Sequence, residues 1–209
     1  MTTAIRSAAA VAAALTLSLV LASCGDDASS GAGGAPAEDL PTSAAQVQGS
    51  DNEADVTFAQ GMLPHHRQAV QMAELAPDRT DTPEVLALAE EIAAAQEPEI
   101  LTMTAFLEAW GAEVPAEDMD ASGQMEGMDH GGMAGMMSSE QMAGMAAAMG
   151  ADFDRMFLQM MIEHHEGAVA MATTEVDEGE NATALELAQA IIDTQESEIG
   201  RMQDLLAGS

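Results

Sequence analysis

Met62-Leu-Pro-His65-His66-Arg-Gln-Ala69-Val70-Gln-Met72-Ala73 recurs 99 residues later as Met161-Ile-Glu-His164-His165-Glu-Gly-Ala168-Val169-Ala-Met171-Ala172. Four of the five histidines lie in these two copies. The match runs upstream, where Asp55, Phe58 and Gln60 pair with Asp154, Phe157 and Gln159. Downstream, Gln96-Glu97-Pro-Glu99-Ile100 with Met103 pairs with Gln195-Glu196-Ser-Glu198-Ile199 with Met202, and Leu88, Ile92 and Leu107 pair with Leu187, Ile191 and Leu206. One register without a gap therefore covers two helix-length segments in each half. Such self-similarity indicates two supersecondary units built alike, predicting an all-α fold: two repeated helix hairpins packed as a pseudo-symmetric four-helix bundle.

Composition agrees with helices, since aromatics make up 2% of the 209 residues while Ala, Met, Glu and Leu abound. All five basic residues are arginines and stand against 36 acids, for a formal charge of -31. That field repels nucleic acid and anionic lipid, so a nucleic-acid partner is not expected, while cations are drawn in.

Residues 1–23 read as an export signal: Arg6 precedes an apolar run from Ala8 to Leu21 that is too short to span a bilayer. The run ends in Leu21-Ala22-Ser23-Cys24, which resembles the lipoprotein processing box and implies a lipid on Cys24 and attachment to the outer side of the cell membrane. Cys24 is the sole cysteine. No intramolecular disulfide and no cysteine-based zinc, iron–sulfur or blue-copper centre can form, which leaves His, Met, Asp and Glu as metal ligands.

Residues 24–49, rich in Gly, Ala, Ser and Pro, are expected to form a flexible tether. The first hairpin is assigned to 50–111. Its first helix is expected to open on a capping box from Ser50 to Glu53, to kink at Pro64 and to end near Ala76; its second opens at Thr82-Pro83, is interrupted at Pro98 and stops at Trp110-Gly111. Residues 112–138, crowded with Gly, Met and Asp, are expected to be a mobile Met-rich crossover. The second hairpin spans 139–207, with a break near Gly150, a helix to about Val176 and a last helix from Asn181 to Leu206.

At about 100° per residue, Asp55, Phe58, Met62, His65, His66, Ala69, Met72 and Ala73 share one broad helical face, so the histidines point inward. Leu88, Ile92, Gln96, Glu99, Ile100, Met103 and Leu107 share another. Met62 lies within a turn of His65 and His66, as Met161 does of His164 and His165, placing one thioether beside two imidazoles in each copy. Thioether is a soft ligand and imidazole a borderline one, a set that suits Cu(I), and by extension Ag(I). Met62, His65, His66, Met161, His164 and His165 are the candidate ligands, with Met72, Met103, Met171 and Met202 as further sulfur donors. Glu99 and Glu198, assisted by Gln96 and Gln195, are placed to accept the second N–H of the imidazoles. In the crossover, Met125, Met128, His130 and Met133 form a candidate relay loop for the ion.

A di-iron site would need Glu-x-x-His, which neither histidine pair has, and zinc hydrolase chemistry lacks its His-Glu-x-x-His. No nucleophile with an activating base is evident, so a binding protein is expected rather than an enzyme. Two metal-free readings stay open at this point: an envelope interaction module whose polar stripe specifies packing, and an oxidant scavenger using exposed methionines.

The paired His-His-x-x-Ala-Val-x-Met-Ala segments, the paired Gln-x-x-Glu-Ile-x-x-Met segments and the run from Met137-Ser-Ser-Glu-Gln-Met142 through Phe153-Asp154-Arg155-Met156-Phe157 resemble the bacterial domain-of-unknown-function family 305. The resemblance covers about residues 51–207. It implies a ferritin-like helical bundle, export from the cytoplasm, and copper as ligand, since the family includes periplasmic copper-binding proteins linked to copper tolerance. A copper-export or copper-chaperone partner follows from that implication. The Met128-Asp129-His130-Gly segment is also similar to Met-rich segments of bacterial copper-resistance proteins.

Overall fold

Asn52 starts the first helix, α1 (Glu53–Glu74). A computed structural model, which describes residues 40–116 and 134–208, shows the Asn52 side chain accepting from the N–H of Ala54 and Asp55. The Asp55 carboxylate accepts from the Asn52 N–H at 2.7 Å, which completes a capping box. The box sits two residues beyond the expected Ser50–Glu53 pairing, because Ser50 instead donates its hydroxyl to Glu180.

Helix α2 (Pro83–Trp110) has proline in its first turn and ends on Gly111 in the left-handed region at φ 68°. Thr82 precedes it without capping it; its hydroxyl donates to Asp154 at 2.6 Å. The chain breaks as expected at Gly150, which has φ 54° and separates α3 (Ser139–Ala147) from α4 (Ala151–Glu178). Asn181 then caps α5 (Ala182–Gly208) by accepting from the N–H of Thr183 and Ala184.

Pro64 and Pro98 lie inside α1 and α2, yet both helices run through as single elements. The expected interruption at Pro98 is not seen. Each proline removes one donor from a helix of 22 or 28 residues, and the remaining ladder and buried face hold it together.

Helices α1 and α2 pack as one hairpin and α4 and α5 as the other, and the two hairpins meet mainly along α1 and α4. That seam is antiparallel. Asp55, at the start of α1, accepts from the N–H groups of Glu180 and Asn181 between α4 and α5. Its repeat counterpart Asp154, at the start of α4, meets Thr82 between α1 and α2. Across the outer pair, Arg201 of α5 meets Glu91 of α2.

Two apolar clusters divide the core. One holds Met72, Leu88, Ile92, Phe153, Phe157, Met161 and Met202; the other holds Phe58, Met62, Met103, Phe106, Leu107, Leu187 and Ile191. The four paired histidines fall between them along both α1 and α4. Each fully buried phenylalanine contributes roughly 1.5–3 kcal/mol through removal from water, so the polar layer is held by strong apolar packing above and below.

Residues 40–49, read from composition as tether, are partly structured: Ala44–Gln46 forms a 3-10 turn and Leu40 and Val47 pack on the second cluster. The described start of the crossover is held against α1. Gln60 donates to the Glu113 carbonyl, and Arg67 donates to those of Pro115 and Ala116. The signal segment, Cys24 and the candidate relay residues Met125, Met128, His130 and Met133 lie outside the described residues. No helix among the described residues is long and apolar enough to cross a membrane.

Candidate metal centre

His65 and His164 come from repeat copies 99 residues apart, and the antiparallel seam brings their ring centroids to 3.7 Å with the planes tilted by 38°. His66 and His165 flank them. All four side chains are buried, with exposures of 0–1%. The two motif copies thus meet in one central layer.

The outer nitrogens are spoken for. His66 Nε2 lies 2.7 Å from Glu99 Oε2, and His165 Nε2 lies 2.6 Å from Glu198 Oε2. Glu99 and Glu198 thus each meet one imidazole, at equal spacing on the two hairpins. His65 Nε2 lies 3.2 Å from the Ala134 carbonyl. A carboxylate or carbonyl can only accept, so each of these three Nε2 atoms carries a hydrogen.

The other ring nitrogens have no partner among the described residues. Nδ1 of His65, His66, His164 and His165 is buried and unpaired, as is Nε2 of His164. Burial, followed by the neighbouring His66, lowers His65 to about 3. His164 is likewise held well below the ordinary histidine value, first by burial and then by His65. Both rings are neutral at physiological pH, which leaves their lone pairs available to a Lewis acid.

The six candidate methionines divide in an unexpected way. Met62 and Met103 of the first hairpin share a cluster with Met171 of the second, and Met161 and Met202 of the second share the other with Met72 of the first. Because α1 and α4 run antiparallel, each thioether set draws on both hairpins. Met171 is only partly buried, whereas the other five are fully buried. Gln96 and Gln195 do not reach a histidine: both are buried, both Gln96 amide atoms are unpaired, and so is Gln195 Oε1. Among the described residues no three His, Cys, Asp or Glu side chains already converge on a cation position. The donor set fits a soft ion that takes sulfur as well as imidazole, and fits poorly a hard ion that needs several oxygens.

Sequence reasoning missed two features beside this layer. Gln68 holds the backbone of Met137, with its amide N–H donating to the Met137 carbonyl at 2.9 Å and its carbonyl accepting from the Met137 N–H at 2.7 Å. Its repeat counterpart is Gly167, a departure from the pattern that marks the position. Farther along the seam, Glu175 is buried beside Asp55, where its repeat counterpart is Ala76. Burial, then the hydrogen bond with Asp55 and its charge, raises Glu175 to about 8. Burial also pushes Asp55 upward, but the N–H groups of Asn181, Asn52 and Glu180 together with Glu175 outweigh it and leave Asp55 lowered. Near neutral pH the raised Glu175 stays protonated beside the ionised Asp55.

Comparison with known proteins yields one family. The model of the domain of unknown function DUF305 matches residues 55–206. Among solved structures, a Streptomyces coelicolor DUF305 protein described as secreted is 35% identical with a TM-score of 0.65, covering 74% of this chain and 93% of its own. A DUF305 fragment from Deinococcus radiodurans is 32% identical with a TM-score of 0.67, covering 77% and 100%. CopM in its Cu(II)-bound form is 34% identical with a TM-score of 0.62, covering 74% and 96%; CopM is also known in Cu(I)-bound and Ag-bound forms. No curated protein sequence matches the chain.

Proposed function

This chain belongs to the DUF305 family, and from that membership together with its buried histidine layer we propose that it binds Cu(I), with Ag(I) as a substitute, outside the cytoplasm. The observation that carries the reading is the set of four buried Nδ1 atoms without a partner, set between two methionine clusters. A buried polar atom left unpaired costs on the order of 1–3 kcal/mol, against a total stability of about 5–15 kcal/mol for a typical domain. Five such imidazole nitrogens in one layer are a large charge against folding. A soft cation taking one lone pair from an imidazole in the layer offsets part of it. A seam that served packing alone would be expected to pair its polar atoms, so the metal-free interaction module is the weaker reading.

The likeness to CopM, which binds Cu(I), Cu(II) and Ag, supports the choice of ion. In this chain Glu99 and Glu198 would fix the outer imidazoles and raise their basicity, while Met62 and Met161 would supply sulfur from either side. The acidic surface would gather cations. The processing box at Cys24 supports a lipid anchor on the outer face of the membrane, and the role is sequestration, copper tolerance or transfer to a copper-export or copper-chaperone partner, without catalysis.

The test is anaerobic competition titration of the purified protein with Cu(I), Ag(I) and Zn(II). Tight, defined Cu(I) and Ag(I) binding with weak Zn(II) binding is expected. Zn(II) binding as tightly as Cu(I), or no ion binding at all, overturns the assignment.

A further inference from the structure

The backbone from Ala134 to Met137 lies across the α1–α4 seam, and it is held there from both helices. On α1, Gln68 makes its two hydrogen bonds to Met137 with an exposure of only 4%. On α4, Gly167 lets the Ala134 carbonyl approach so closely that a Cβ at that position would stand 1.8 Å from its oxygen. Gly135, at φ 83°, is equally confined: a Cβ there would stand 2.5 Å from the Glu163 carbonyl oxygen. Between these fixed points the Ala134 carbonyl meets His65 Nε2 at 3.2 Å.

At the strap the two repeat copies differ in a complementary way. Where α1 carries a long amide that grips the strap, α4 carries a residue without a side chain that makes room for it. His66 and His165 have carboxylates to hold their Nε2–H, but His65 has only this backbone oxygen. A histidine released from its acceptor is free to exchange tautomers and to turn its ring.

We propose that Gln68 and Gly167 are positioning residues of the metal centre: by clamping the Ala134–Met137 strap they keep the Ala134 carbonyl on His65, which locks that ring as the Nε2–H tautomer with Nδ1 free for the ion. This rests on the copper reading above for its consequence, though not for its geometry. A locked ring loses little freedom on binding and releases the ion slowly. Loosening the strap therefore speeds release without removing a ligand.

Two measurements on the full chain separate this from the copper reading. Long-range proton–nitrogen correlation spectra of the metal-free protein should show His65 as a single Nε2–H tautomer in the wild type, and averaged between tautomers in Gly167→Ala and Gln68→Leu, with helicity by circular dichroism retained in at least one of the two. Release of Cu(I) to an excess of chelator should be faster by about tenfold or more in that folded variant, at unchanged stoichiometry. Gln68→Glu, which keeps the acceptor for the Met137 N–H and loses the donor, should fall between. A wild-type His65 hydrogen on Nδ1, or a folded variant whose tautomer and release rate match the wild type, overturns the proposal. If the wild type binds no Cu(I), the copper reading fails, and the tautomer spectra still decide whether the strap locks His65.

Discussion

The two hairpins carry one pattern and use it differently. Positions where they agree, namely the histidine pairs, Glu99 with Glu198 and the methionines, build the central layer. Positions where they depart, Gln68 against Gly167 and Ala76 against Glu175, make contacts outside it: one holds the strap and the other forms the carboxyl pair with Asp55. At these positions agreement between repeats marks the shared centre, and disagreement marks where the pseudo-symmetry is broken.

The sharpest way to break this comparison is to treat the two halves alike and ask whether they respond alike. Glu99→Gln and Glu198→Gln each remove the charge that orients an imbedded imidazole, and outer partners of this kind are worth about 10–100-fold in metal affinity. Chelator competition should find the two variants weakened by similar factors. A loss confined to one of them would mean that only one hairpin serves the ion.

A smaller effect is expected at the departure. Glu175 has an ordinary value of 4.5 and a folded value of about 8, so between those limits the folded state holds a proton that the unfolded chain lacks. Its contribution is complete below pH 4.5 and is lost as pH rises through 8. Glu175→Gln keeps a donor toward Asp55 and cannot ionise. Thermal melts should show it flatter than the wild type across this window and higher in midpoint at pH 9 by on the order of a few degrees. His65 works in the opposite sense, since its folded value of about 3 lies below the ordinary 6.5, and stability falls as pH drops through that range. The substitution should leave that acid limb unchanged. An unaltered alkaline limb would show that Glu175 is not the group that titrates.

Much of this was legible in the sequence because it depended on period and repeat. The helix hairpins, the inward histidines and the pairing of Glu99 and Glu198 with the imidazoles follow from a register that is printed twice. The remainder depended on how the hairpins meet. An antiparallel seam places Met171 with Met62 and Met72 with Met161, a mixing that neither copy reveals alone. The strap was hidden for another reason: its hydrogen bonds use the backbone of Ala134 and Met137, and backbone groups leave no mark in residue type. The replacement of a long amide at Gln68 by Gly167 was the available clue. Asn52 displaced Ser50 as cap for a similar reason, since Ser50 is taken by Glu180 from the far end of the chain.

The central claim is that both motif copies build a single soft-metal centre, because His65 and His164 lie 3.7 Å apart across the seam. Native mass spectrometry of anaerobic Cu(I) loading, on the wild type and on the double variants His65→Ala/His66→Ala and His164→Ala/His165→Ala, tests it directly. Each double variant, with helicity nearly intact, is predicted to lose the ion that the central layer holds, so that either pair removes the same copper. Two losses that are separate and add up when the variants are combined, or a copper load that neither variant changes, would contradict it.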